Sequence, residues 1–172
     1  MDLDRALEAV SPRVRRAVWA AHEALNAAGV PHLLVGGLAV GAYGYPYATQ
    51  DVDFLVGDDA FEFHGAIVLH APGVPIQVGG VVIDYVSPDA HVDQQRLIEE
   101  ARGDRNLHVV PIEHLVYMKL VAGRQRDMAA IVGLLQAGMD AEGVRAFLAK
   151  AAPDLVGRYD RLVIRAAREE RR

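Results

Sequence analysis

Residues His32 to Val56, HLLVGGLAVGAYGYPYATQDVDFLV, constrain this chain more than any other stretch. An apolar run, His32 to Val35, is cut by Gly36-Gly37. Small apolar residues follow, then a turn at Pro46, then a second apolar run that opens with Asp51-Val52-Asp53. Glycines at a strand-to-helix break let backbone N–H groups approach an anion, and the helix dipole adds to that attraction. Alternate residues of a strand share a face, so Asp51 and Asp53 project together with Cα atoms about 7 Å apart. Two carboxylates side by side repel unless a cation lies between them. Mg²⁺ takes oxygen ligands, commonly one or two carboxylates together with phosphate oxygens. Read alone, Asp-x-Asp also fits an exposed turn flank and Gly-Gly an ordinary tight turn. The stretch is neither a Walker loop, since no Gly-Lys-Ser/Thr follows, nor a GxGxxG fingerprint.

Asp84 is the third element, set inside Val81-Val82-Ile83-Asp84-Tyr85-Val86. A carboxylate in the middle of an apolar strand is costly to bury unless a metal or a basic partner stabilises it. A rim position with a basic partner is the alternative to a metal ligand.

Composition narrows the class. The 172 residues are 52% hydrophobic and 24% charged, as expected of one globular domain with a real core. About 1–110 would form an α/β core and about 111–172 a helical part packed on it. There are no cysteines, which excludes disulfides, a Cys nucleophile and thiolate zinc sites. No apolar run reaches the roughly 18–20 residues of a membrane span, and the acidic, amphipathic N-terminus is not a secretory signal. These features fit a cytoplasmic protein. A net charge of −5 argues against chain-wide attraction to nucleic acid, leaving only local basic patches for that role.

The remaining elements follow from local signals. Asp2 to Val10 reads as a short helix. Ser11-Pro12 reads as a cap and first turn of a second helix, with Val14, Ala17, Val18, Ala21, Leu25 and Ala28 on one stripe, ended by Gly29 and Pro31. Arg13, Arg15 and Arg16 read as its solvated face. Beyond the second strand, Ala66–His70, Val74–Val78 and Val81–Val86 read as antiparallel β-runs, with a hairpin turn at Gly79-Gly80. Asp58 to His64 leaves room for at most a turn or two. Ser87-Pro88 signals a helix to about Ala101, and Leu107–Val110 a brief edge strand. Helices are then expected over Pro111–Val121 and Asp127–Gln136, from an Asp140 cap to Ala151, and from Pro153 onward. The order implies an α/β or α+β fold: a mixed sheet with flanking helices and a helical C-terminal half.

The pattern of apolar strand, Gly-Gly, Asp-x-Asp and a later Asp in a β-run resembles the polymerase-β-type nucleotidyltransferase superfamily. GGLAVGAYG, TQDVDFLV, VVIDYV and PIEHLVYMKLVAGRQRDMAAI most resemble its AbiEii-type group of stand-alone bacterial enzymes, over about Pro31 to Leu135. The resemblance implies a metal-dependent transfer of NMP from an NTP to an acceptor hydroxyl. It places Gly36 and Gly37 at the triphosphate, with Thr49, Lys119 and Arg124 also at the nucleotide. Asp51, Asp53 and Asp84 would bind two Mg²⁺ (or Mn²⁺) ions, and Asp84 would help deprotonate the hydroxyl. Asp127 would pair with a cation or cap the following helix. Some members are toxins of toxin–antitoxin pairs, so the resemblance also implies a candidate antitoxin partner. The acceptor, whether small molecule, protein or RNA, is left open.

Two departures bear on that reading. Relatives usually carry a basic residue where this chain has Tyr47, with Arg124 or Arg126 as candidate substitutes. They also often place a helix between the second strand and the third carboxylate. A catalytically silent nucleotide- or partner-binding module of the same fold is therefore the competing reading. A DxD glycosyltransferase fits poorly with the short chain and the upstream Gly-Gly. A haloacid-dehalogenase phosphatase does not fit, because its Asp-x-Asp ends an apolar strand. His64, His70 and His91 show no ligand spacing. Arg158, Arg161, Arg165, Arg168 and Arg172 form a stripe on the last helix, read as a solvated face or a contact for RNA or a partner.

Overall fold

The first two helices start where their side chains can satisfy free backbone N–H groups. Asp2 accepts from the Arg5 N–H at the head of α1 (Leu3–Ala9), and Ser11 accepts from the Val14 N–H at the head of α2 (Pro12–Ala27). The structure, a computed structural model, describes residues 1–171. The α2 stripe is buried except for its last member, Ala28, which is exposed at the C-cap. Arg13 is more than a solvated group, because its guanidinium donates to the Gly79 carbonyl at 3.0 Å and ties α2 to a distant turn.

The central sheet has four strands, lying side by side in the order His32–Leu34, Val52–Val56, Val81–Val86 and Gln77–Val78. β1 (His32–Leu34) runs antiparallel to β2 (Val52–Val56), and β2 runs parallel to β6 (Val81–Val86). The edge strand β5 (Gln77–Val78) is antiparallel to β6. Between β1 and β2 lies α3 (Gly36–Ala42). A short 3₁₀ turn at Asp58–Ala60 leads from β2 into a separate hairpin, β3 (Phe61–His64) and β4 (Ile67–His70).

The sheet region thus departs from three successive antiparallel runs. Phe61–His64 extends as a strand and pairs with Ile67–His70 outside the main sheet, while of Val74–Val78 only the last two residues are strand. β2 and β6 pair in parallel, which makes the sheet mixed as expected, because the hairpin and β5 together supply a crossover long enough to join them. Gly79 and Gly80 both take positive φ, as a tight hairpin turn demands. Leu107–Val110 is reduced to a bridge, with the Leu34 N–H donating to the His108 carbonyl and the Val110 N–H to Leu34.

The helix expected from Ser87-Pro88 begins late. The Asp89 carboxylate caps a 3₁₀ turn at Ala90–Val92, Asp93 adopts a left-handed conformation (φ 53°), and α4 runs only over Gln94–Glu100. Local capping chemistry at Asp89 outcompetes the Ser-Pro signal. The C-terminal half is α5 (Ile112–Ala122), α6 (Gln125–Gln136), α7 (Ala141–Ala151) and α8 (Pro153–Glu169). The α+β class and the helical C-terminal half stand as expected.

Two apolar clusters hold these layers. One lies between α1, α2, α3 and the sheet; the other lies among α5 to α8. Ile112, Met118 and Met139 pack against both. Leu162 and Ala166 of α8 are buried, and Arg158 donates to the Leu120 carbonyl at 2.9 Å, so that arginine is a helix-to-helix tie. Arg165 pairs with Glu169, Arg161 and Arg168 are exposed, and Arg172 lies outside the described residues. Among the described residues no helix is long and apolar enough to cross a membrane.

Candidate functional site

Parallel pairing of β2 with β6 sets Asp53 directly beside Asp84. Neighbouring residues across a sheet project to the same face, so both carboxylates leave the face opposite α2. On β6, Val81 and Ile83 are buried towards the core, while Val82, Asp84 and Val86 point outward. Asp51 immediately precedes β2. One ligand atom from each of Asp51, Asp53 and Asp84 lies within 4.8 Å of the others, a spacing that can hold a metal ion. Their burial is graded: Asp51 and Asp53 are half-buried and Asp84 is exposed.

The electrostatics follow from this crowding. Burial first, then the charges of Asp51 and Asp84, push the Asp53 carboxyl up to about 6, against the opposing effects of Lys119 and a hydrogen bond from the Gly37 N–H. A bound cation would remove the repulsion among the three groups, and an all-carboxylate donor set suits a hard, oxygen-seeking ion.

The glycines do something the sequence did not disclose. Gly36 (φ +66°) begins α3, and a Cβ there would overlap the Asp53 carboxylate. A Cβ on Gly37 would stand 2.8 Å from the Tyr47 ring and 2.9 Å from Thr49 Cβ. The pair therefore makes room for Asp53, Tyr47 and Thr49. The Thr49 hydroxyl donates to the Asp51 carboxylate and orients it.

Lys119 and Arg124 arrive from the helical half. Lys119 is buried, and its Nζ lies 3.1 Å from Asp127 Oδ1; Arg124 Nε lies 2.6 Å from Asp127 Oδ2. Burial works against the charge on Asp127, but hydrogen bonds from Arg124 and Lys119 outweigh it and hold the carboxyl below its usual range. Tyr47 stands where a cation was expected, and its ring faces Lys119, 5.4 Å from Nζ to the ring centroid. The aromatic ring thus supports a cation supplied by α5.

These groups enclose a cavity of about 490 Å³, with Asp51, Asp53 and Asp84 on one wall and Lys119, Arg124 and Arg126 among the others. All eight residues singled out from the sequence (Gly36, Gly37, Thr49, Asp51, Asp53, Asp84, Lys119 and Arg124) line it. A second cavity, about 310 Å³, opens beside it and shares Gly36, Asp53, Lys119, Arg124 and Asp127. Gln94, Tyr117 and Asp89, which line this second cavity, carried no sequence signal. The histidines with a structural role were missed as well. Burial above all pushes His32 down to about 4, and His32 Nε2 lies 2.7 Å from His22 Nδ1, behind the sheet. His64 sits beside Glu62, and His70 packs against Phe61 and Tyr85.

Comparison with models of protein families and with curated proteins gave no match.

Proposed function

We propose that this chain is a metal-dependent nucleotidyltransferase that moves an NMP from an NTP to an acceptor hydroxyl. The observation that carries this reading is the convergence of Asp51, Asp53 and Asp84 in one cavity that Lys119, Arg124 and Arg126 also line. A ligand with a metal-bridged phosphate and further anionic groups matches that combination of carboxylates and cations.

Asp51, Asp53 and Asp84 would hold Mg²⁺ or Mn²⁺, two ions when the NTP is present. When bound, such ions neutralise the phosphate charge and make an acceptor hydroxyl easier to deprotonate. Asp84, the exposed carboxylate of the three, would receive the hydroxyl proton. The acceptor oxygen then forms its bond to the α-phosphorus as the bond to pyrophosphate breaks. Arg124 and Arg126 offset the charge of the leaving pyrophosphate, and Lys119, steadied by Tyr47 and Asp127, lies on the same side. Thr49 keeps Asp51 in place.

A specific observation favours the silent-module reading. Asp127 already engages both Lys119 and Arg124, which leaves Arg126 as the cavity cation without a close carboxylate ion pair among the described residues. One experiment separates the two. The protein is incubated with Mg²⁺ or Mn²⁺, each α-labelled NTP, and total RNA, cell protein or an antibiotic panel. Label transfer that disappears in an Asp51→Ala/Asp53→Ala variant supports the enzyme and identifies the acceptor. Metal-dependent NTP binding without transfer to any acceptor supports the module, whether its role is nucleotide sensing or pairing with an antitoxin-type partner in the cytoplasm.

A further inference from the structure

The second cavity differs in character from the first. Val35, Leu115, Met118, Val121 and the Tyr117 ring give it an apolar lining, and it opens from the shared wall of Gly36, Asp53 and Lys119. Its lining includes Asp53 but neither Asp51 nor Asp84, so it leaves the centre away from the carboxylate that faces the acceptor. An apolar slot joined to a cationic, metal-binding cavity has the shape of a nucleotide divided into base and phosphates.

One side-chain nitrogen in the slot is unpaired. Gln94 is 1% exposed, and its Nε2 has no hydrogen-bond partner among the described residues. The amide orientation is fixed rather than arbitrary. Its Oε1 accepts from the Asp89 N–H at 2.8 Å, and the Asp89 carboxylate is in turn held by the Tyr117 hydroxyl at 2.6 Å. With the oxygen committed, the nitrogen is left as a donor. A buried donor without a partner is costly, and a site with such a donor discriminates strongly for ligands that supply the missing acceptor.

We propose that this slot is the nucleobase subsite for the donor nucleotide, and that the Gln94 amide donates to an acceptor atom of the base. This rests on the nucleotidyltransferase reading and goes beyond it by placing the base and naming the residue that holds it. Guanine, uracil and cytosine can accept at a carbonyl oxygen, and adenine at a ring nitrogen. Tyr117 and Met118 supply the apolar contact for the ring.

The test measures binding of the Mg²⁺ complexes of the four NTPs and of inorganic tripolyphosphate by calorimetry. It uses the full chain and two variants. Gln94→Glu keeps an oxygen for the Asp89 N–H but removes the donor. Val121→Trp, at a residue 57% exposed, fills the slot from its rim without disturbing the core. The expected result is that at least one NTP binds about tenfold or more tightly than tripolyphosphate, and that each variant removes this advantage while tripolyphosphate binding is unchanged. The proposal is refuted if tripolyphosphate binds as tightly as every NTP, or if either Val121→Trp or Gln94→Glu leaves the NTP advantage intact. If neither tripolyphosphate nor any NTP binds, the nucleotide reading itself fails, and the subsite with it.

Discussion

Gly36 packs directly on Asp53, so that the space a Cβ would take is filled by the Asp53 carboxylate. The metal-binding face therefore depends on a missing side chain. Gly36→Ala incurs two costs: left-handed backbone strain at φ +66°, and displacement of a carboxylate. Gly29, at φ +71° with nothing near its Cβ position, isolates the first. Gly29→Ala should lower stability by about 1 kcal/mol, and Gly36→Ala by about 2–3 kcal/mol with loss of metal binding. Denaturant unfolding and a metal titration on both variants check the difference.

Asp53 and His32 give stability opposite dependences on pH. Asp53 binds a proton more readily folded (about 6) than unfolded (3.8), so its contribution to stability falls as pH rises through that interval. Asp53→Asn, which leaves an oxygen for the Gly37 N–H, should raise the Tm at pH 7 and leave it nearly unchanged at pH 4. Metal binding near pH 5 should release a proton, detectable by calorimetry in buffers of different ionisation enthalpy.

His32 behaves the other way. Its folded pKa, about 4, lies below the unfolded 6.5. Its contribution is present above pH 6.5 and is lost as pH falls towards 4. One neutral arrangement fits the geometry: His32 Nδ1 donates to the Val30 carbonyl while Nε2 accepts from His22 Nδ1. Moving from pH 7 to 5 should cost about 2 kcal/mol through this group, partly offset by Asp53. His32→Leu should abolish that acid-side loss in a Tm series.

Asp127 is the hinge of the cationic wall. It is 1% exposed, as the side chain, and faces a Lys119 side chain that is 7% exposed. Asp127→Ala would strand a buried ammonium and should cost about 3–5 kcal/mol. Arg124→Ala should cost about 1 kcal/mol or less, because that side chain is 57% exposed and Lys119 keeps its partner. A larger loss for Arg124 than for Asp127 would contradict the assignment.

Gly36, Gly37, Asp51, Asp53 and Asp84 were legible from local patterns: glycines at a strand end, alternating carboxylates, a charge inside an apolar run; Thr49, Lys119 and Arg124 entered only through the family resemblance. Patterns of that kind locate residues without showing how they contact one another. That Gly36 clears space for Asp53, or that Tyr47 lies beside Lys119, depends on packing between segments 17 and 72 positions apart. Gln94 looked like any surface helix residue until Asp89 displaced the helix start and the chain folded over it. The parallel β2–β6 pairing was missed because Asp58 to His64 gave too weak a periodic signal to reveal a hairpin standing outside the sheet.

The central claim is that Asp51, Asp53 and Asp84 together hold metal for a nucleotide. Mn²⁺ titration followed by electron paramagnetic resonance, with and without a non-hydrolysable NTP analogue, tests it directly. The account predicts tight Mn²⁺ binding that rises to two ions with the analogue, falls to one in Asp84→Asn, and disappears in Asp51→Asn/Asp53→Asn. Mn²⁺ binding that is weak, indifferent to the nucleotide and unchanged in those variants would contradict it.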